Sequence, residues 1–157
     1  MEKVLLMDAK ECTGCMQCEM ACSYQTENAF NPIKSRIKVF EFKENHLFVP
    51  YTCTQCAEAW CMVVCPVDAI SIDEATGAKI VSDETCVGCK VCTIACPFGT
   101  INYNPDTGKV LKCDLCGGDP ACVKMCPTTA LSFVEAETAG AGKMREWVEK
   151  TEPNLQT

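Results

Sequence analysis

The sequence predicts an α+β fold: two tandem modules related by pseudo-twofold repetition, with a β-hairpin inserted between them. Three observations predict it. Sixteen cysteines fall into four groups of four with none left over. Three of the four groups end in Cys-Pro and run into a short stretch of alternating apolar and polar residues, which reads as a half-buried strand. Between the first two groups, residues 36–42 (RIKVFEF) and 47–52 (HLFVPY) alternate around the polar turn Lys43-Glu44-Asn45, as a hairpin does.

In chain order, Val4 to Met7 forms a four-residue apolar run that ends at Asp8. Cys12, Cys15, Cys18 and Cys22 follow at compact spacing, with Ser23 in the place of a proline. After the hairpin come Cys53, Cys56, Cys61 and Cys65, then Pro66 and the strand-like VDAISI. Residues 66–85 read as helix, strand, a turn at Thr76-Gly77, and strand. Cys86, Cys89, Cys92 and Cys96 precede Pro97 and FGTINY; Cys113, Cys116, Cys122 and Cys126 precede Pro127 and TTALSF. Proline sets the backbone after each last cysteine. Residues 138–142 read as a linker, and 143–150 (KMREWVEK) as about two helical turns with Met144, Trp147 and Val148 on one face. Two turns are marginal alone, so this helix is expected to lie on the protein's own body or on another subunit.

The run Cys86 to Pro97 is C-x2-C-x2-C-x3-C-P, the bacterial ferredoxin spacing for iron–sulfur cubanes. The expected fold is therefore two tandem bacterial-ferredoxin-like dicluster modules binding four [4Fe–4S] clusters. In such modules three cysteines of a run hold one cubane and the fourth crosses to its neighbour. Applied here, the rule gives Cys53, Cys56, Cys61 with Cys96; Cys86, Cys89, Cys92 with Cys65; Cys12, Cys15, Cys18 with Cys126; and Cys113, Cys116, Cys122 with Cys22. The last two sets compete with a tandem pairing of quartets one with two and three with four. The expected domain spans 1–134: an inner module at about 53–103, an outer module from about 1–30 plus 104–134, and the hairpin at about 34–52. Residues 135–157 are the linker and a docking helix. Zinc is the rival metal, but its structural sites join two separated knuckles, whereas here the third and fourth cysteines follow closely.

The net charge of −7, taken to roughly −15 by four clusters of about −2 each, excludes nucleic acid as a partner. No signal peptide, twin-arginine start or membrane-spanning run is apparent, so the expected address is the cytoplasm, with no direct membrane insertion. There, thiols stay reduced and able to bind metal. Dinucleotide and nucleotide motifs are missing, as is a nucleophile with a histidine base, so no catalytic residue is assigned.

Individual residues carry paired readings. Gly14 and Gly88 share one slot in the two compact quartets, where positive φ turns backbone N–H groups toward sulfur and also makes a tight turn. Trp60 reads as packing against a cluster, and the lone His46 as a surface residue of the hairpin turn. Lys112 and Lys90 either raise the potential of a nearby cluster or are solvated charges. Lys34, Arg36 and Lys38 form the densest positive patch, which serves either an interface or a solvated strand face. The hairpin itself either covers the core or docks a partner.

On these quartets the chain resembles the four-cluster ferredoxin-like subunits that serve molybdenum and tungsten oxidoreductases, hydrogenases, formate dehydrogenases and carbon monoxide dehydrogenases. The resemblance implies pairing of the first quartet with the fourth and the second with the third. Residues 12–37 look closest to the iron–sulfur subunits of tungsten enzymes of the aldehyde:ferredoxin oxidoreductase type, which include a benzoyl-coenzyme A reductase relative. It implies a non-catalytic electron-transfer subunit beside a large tungsten or molybdenum pterin enzyme. A flavin or ferredoxin partner is expected at the other end, and the two-ended layout also admits further copies of the chain.

Overall fold

The computed structural model describes residues 3–44 and 46–151. Asn45 of the expected turn and the Trp147 side chain lie outside the described residues. The backbone is organised as four two-stranded antiparallel ribbons with short helices between them. Strand β1 (Lys3–Met7) pairs with β8 (Leu131–Glu135), β2 (Lys38–Phe42) with β3 (Leu47–Tyr51), β4 (Ile70–Ile72) with β5 (Lys79–Val81), and β6 (Asn102–Asn104) with β7 (Lys109–Leu111).

The β1–β8 ribbon joins the two ends of the chain, running from Lys3 opposite Glu135 to Met7 opposite Leu131. It places Leu5 across from Phe133, an apolar cross-strand pair of the kind that stabilises ribbons. The β4–β5 ribbon closes where expected, with Gly77 N donating to Asp73 O at 2.8 Å. Strand β7 is an addition to the sequence reading. Asn104 prepares it, because its carbonyl accepts from Gly108 N at 2.9 Å and its side chain accepts from Asp106 N at 3.0 Å. This side-chain turn substitutes for backbone pairing at the bend.

Helices α1 (Gln17–Glu27), α2 (Trp60–Val63), α3 (Val91–Ala95) and α4 (Ala121–Lys124) carry Cys18 with Cys22, Cys61, Cys92 and Cys122. No helix follows Pro66, which corrects that part of the sequence reading. The helical turn comes one step earlier, on the third cysteine, and the chain bends through Asp68 at φ 50 into β4. Likewise Cys96, capping α3, is already extended at φ −72 and ψ 112. The residue before a proline is pushed out of the helical region, so each helix ends at or just before the fourth cysteine of its Cys-Pro.

Two buried cores result. One gathers Ala59, Cys61, Ile70, Cys86, Cys92, Ile101 and Val110; the other gathers Cys18, Cys22, Ile37, Cys122 and Leu131. Helix α2 packs on α3 beside the first, and α1 packs on α4 beside the second. Glu19 is buried and accepts from Val39 N at 2.6 Å, so the hairpin is fastened to α1.

The positive patch expected at 34–38 is consumed internally. Lys34 pairs with Asp106 at 2.9 Å, Arg36 pairs with Glu27 at 3.4 Å, and the Lys38 ammonium donates to the carbonyls of Pro32 and Ile33.

The expected linker at 138–142 is helical instead: α5 (Ala136–Thr151) runs unbroken through it. Each interior glycine costs about 1 kcal/mol relative to alanine. Ala136, Ala139 and Ala141 are the best helix formers, and α5 packs against β1 and β8 of the same chain. Among the described residues no helix is long and apolar enough to cross a membrane.

Candidate metal centres

Each quartet begins with the same backbone device. The residue just before the second cysteine is left-handed in all four: Gly14 at φ 69, Gln55 at φ 51, Gly88 at φ 66 and Leu115 at φ 57. Sequence reading found only the two glycines. Superimposing the quartets would have found Gln55 and Leu115 in the same slot, despite a cost of about 1–2 kcal/mol for a side chain there. Met16 and Lys90 are left-handed as well, and each opens the helix that carries the next cysteine. A second reversal follows each Cys-Pro, at Asp68, Gly99 and Thr129.

These turns bring thiols from separate quartets together. One recess is lined by Cys53, Cys56 and Cys61 of the second quartet and by Cys96 of the third, with Trp60 and Lys112 in its wall. Another is lined by Cys12, Cys15, Cys18 and by Cys126 of the fourth, under Val39 and Pro50 of the hairpin. Among the described residues, no three His, Cys, Asp or Glu side chains are set closely enough to hold a single metal ion. The thiols stand around a recess instead of converging on one point.

Of the remaining thiols, all but Cys65 are linked through the electrostatics. Cys122 is held well above the usual thiol range by burial first, then by Cys113, Cys22, Cys116 and Cys18 around it. Cys113 is pushed up to about 12 by burial, with Cys53 and Cys22 adding to it. Cys92 is raised by burial and by Cys89, Cys61 and Cys86. Cys61 is raised by burial, opposed by the charge of Lys112, and raised further by Cys53 and Cys96. Cys18 is pushed up to about 12 by burial, with Glu19, Cys12 and Cys15 adding to it.

Two fourth cysteines behave in the opposite way. Burial acts upward on Cys96, but hydrogen bonds from Thr100, Phe98 and Gly99 outweigh it and hold the thiol below its ordinary value. Cys126 is lowered likewise, with burial outweighed by Leu131, Thr128 and Ala130. The two other fourth cysteines also accept backbone donors: Ala69 N reaches Cys65 Sγ at 3.2 Å and Arg36 N reaches Cys22 Sγ at 3.3 Å. Donors aimed at sulfur favour thiolate, the form that ligates metal. Rings of thiols with N–H groups directed at them fit an iron–sulfur group.

The single candidates separate. Lys90 is exposed and stands over the Tyr103 ring at 3.9 Å, whereas Lys112 is buried. Trp60 lines its recess yet is 58% exposed, so it does less packing than expected. His46 is exposed in the hairpin turn at φ 49.

Residues 44–136 match the family described as the 4Fe-4S dicluster domain, and residues 9–25 match a 4Fe-4S binding domain. The chain is 43% identical, over 78% of its length and 70% of the relative, to the polyferredoxin-like subunit of an aliphatic sulfonate oxidoreductase from Pyrococcus furiosus. It is 36% identical to the thiosulfate reductase electron transfer subunit of Salmonella typhi, covering 95% of this chain and 82% of that one. Among solved structures, a chain of the benzoyl-coenzyme A reductase active-site complex BamBC, determined with zinc, matches with TM-score 0.50 and 27% identity over 94% of this chain and 90% of that chain. Thiol-lined recesses and these likenesses lead to one assignment: the chain belongs to the 4Fe-4S dicluster domain family, among the iron–sulfur electron-transfer subunits of oxidoreductases.

Proposed function

We propose that the chain holds four [4Fe–4S] clusters and is the non-catalytic electron-transfer subunit of a cytoplasmic oxidoreductase complex. The observation that carries this is the recess in which Cys96 of the third quartet stands with Cys53, Cys56 and Cys61 of the second. Cys86, Cys89 and Cys92 would hold a second cluster with Cys65. Cys12, Cys15 and Cys18 would hold a third with Cys126, and Cys113, Cys116 and Cys122 a fourth with Cys22. When bound, each cluster accepts and returns one electron. The division into an inner module at about 53–103 and an outer one from about 1–30 plus 104–134 draws support from the two separate cores, with Val110 of the first core carrying the inner module past residue 103.

The thiol neighbourhoods support a linear order. Cys61 acts on Cys92, Cys53 on Cys113, and Cys18 on Cys122. The Cys86 and Cys12 sites then lie at the two ends. Cys89 and Cys15, the exposed cysteines, belong to those end sites. One end would face a large catalytic subunit, read as a tungsten or molybdenum pterin enzyme, and the other a flavin or ferredoxin partner. The resemblance of residues 12–37 supports the tungsten assignment.

Iron and acid-labile sulfide analysis of the anaerobically purified chain tests the reading. About sixteen of each per chain is expected, without substrate turnover unless a catalytic subunit is added. Zinc without sulfide overturns it.

A further inference from the structure

We propose that Lys112 raises the reduction potential of the site ringed by Cys53, Cys56, Cys61 and Cys96 above those of the other three sites. Lys112 is 6% exposed and lines that recess. Its ammonium donates to the carbonyl of Lys79, to Gln55 Oε1 at 3.2 Å and to Cys113 O at 3.2 Å. All three acceptors are neutral, so hydrogen bonding satisfies the group without cancelling its charge.

Gln55 fixes this arrangement. Its Nε2 donates to Cys113 O at 2.7 Å, and its Oε1 also accepts from Lys79 N at 2.9 Å. The amide is thereby oriented with its oxygen toward the ammonium. Lys79, 5% exposed, lines the same recess. Lys79 and Lys112 are the buried basic residues among those described.

Cations near the other sites are placed differently. Arg36, close to Cys22, is paired with Glu27; Lys124 is paired with Asp119; and Lys90 is exposed. Lys109 donates to the Cys86 carbonyl but is only part-buried. A buried charge is screened far less than an exposed one. Reduction adds negative charge to a site, so a buried, uncancelled cation beside it favours the reduced form. Lys112 thus makes the Cys53–Cys96 site the most readily reduced, at an interior position of the proposed order.

This inference rests on the four-cluster reading. The test is a spectroscopically monitored redox titration of the full, iron-loaded chain. Cys56→Ser marks which transition belongs to this site, and the expected one is the highest in potential. Lys112→Met should move that transition to lower potential by more than any other, while Lys112→Arg should largely retain it. If the Lys112→Met chain loads poorly, Gln55→Glu sets a carboxylate against the same ammonium and should lower the same transition. A highest transition belonging to another site overturns the inference, as does an unmoved one in a fully loaded variant or a common shift of all four. Iron and sulfide content short of four clusters in the unmodified chain counts against the four-cluster reading instead.

Discussion

Gln55 Nε2 donates to the carbonyl oxygen of Cys113 at 2.7 Å, linking the second cysteine quartet to the fourth although β4 to β7 lie between them in the chain. The same amide accepts from Lys79 N, so Gln55→Ala leaves several part-buried polar groups without their partner. A loss of about 1–3 kcal/mol is expected in the unfolding of the loaded chain. Because Gln55 sits at φ 51, Gln55→Gly should recover about 1 kcal/mol of that loss. Equal stability of the two variants in thermal or denaturant unfolding would contradict the strain argument.

Cys96 lines the recess of the second quartet. Cys96→Ser should therefore damage the cluster of Cys53, Cys56 and Cys61, while Cys65→Ser damages that of Cys86, Cys89 and Cys92. Combining each with Cys56→Ser decides it by iron content. Cys96→Ser should add little to the loss already caused by Cys56→Ser, whereas Cys65→Ser should add a second cluster's loss. The reverse pattern would show that each run keeps its own fourth ligand.

Gly88 and Gly117 are both left-handed, at φ 66 and 63, but their surroundings differ. A Cβ at Gly88 meets the backbone oxygen of Gly108, whereas one at Gly117 meets nothing within 4 Å. Gly117→Ala should cost about 1–2 kcal/mol from conformation alone. Gly88→Ala should cost a further 1–3 kcal/mol, roughly, from the clash. Unfolding midpoints of the two variants side by side test the difference.

Iron loss should follow pH in one direction. Burial holds Cys18 and Cys113 up at about 12, against an ordinary thiol value of 9.0. Protons therefore compete with metal for these sulfurs throughout the neutral range. Raising pH toward 9 should increase the proton-corrected chelator activity needed to strip half the iron. Iron retention that is flat or falling between pH 6 and 9 would mean that thiol protonation does not limit release.

Much of this protein was legible because iron–sulfur ligation dictates local sequence. A loop around a cluster needs its thiols within a few residues, left-handed turns between them, and a break after the last one. Cys86-Val87-Gly88-Cys89 through Cys96-Pro97 states all of that in order. The hairpin alternation and the Thr76-Gly77 turn were equally local, and they appear as β2–β3 and the β4–β5 bend.

What the sequence alone did not disclose depended on groups far apart in the chain. Lys112 and Lys90 each lie close to cysteines, and composition treats them alike. Folding leaves Lys90 exposed over Tyr103 and encloses Lys112 between Gln55, Lys79 and Cys113. The positive patch of Lys34, Arg36 and Lys38 reads as surface until Asp106, from a distant segment, and Glu27, at the end of α1, pair with two of its members. The glycines at 140 and 142 suggest a break, yet α5 runs unbroken through them, and that helix packs on β1 and β8. Spacing along the chain marks which thiols are candidate ligands, because ligand loops are short. Burial and pairing decide which charges act on those thiols, and both are set by which segments the tertiary fold brings together.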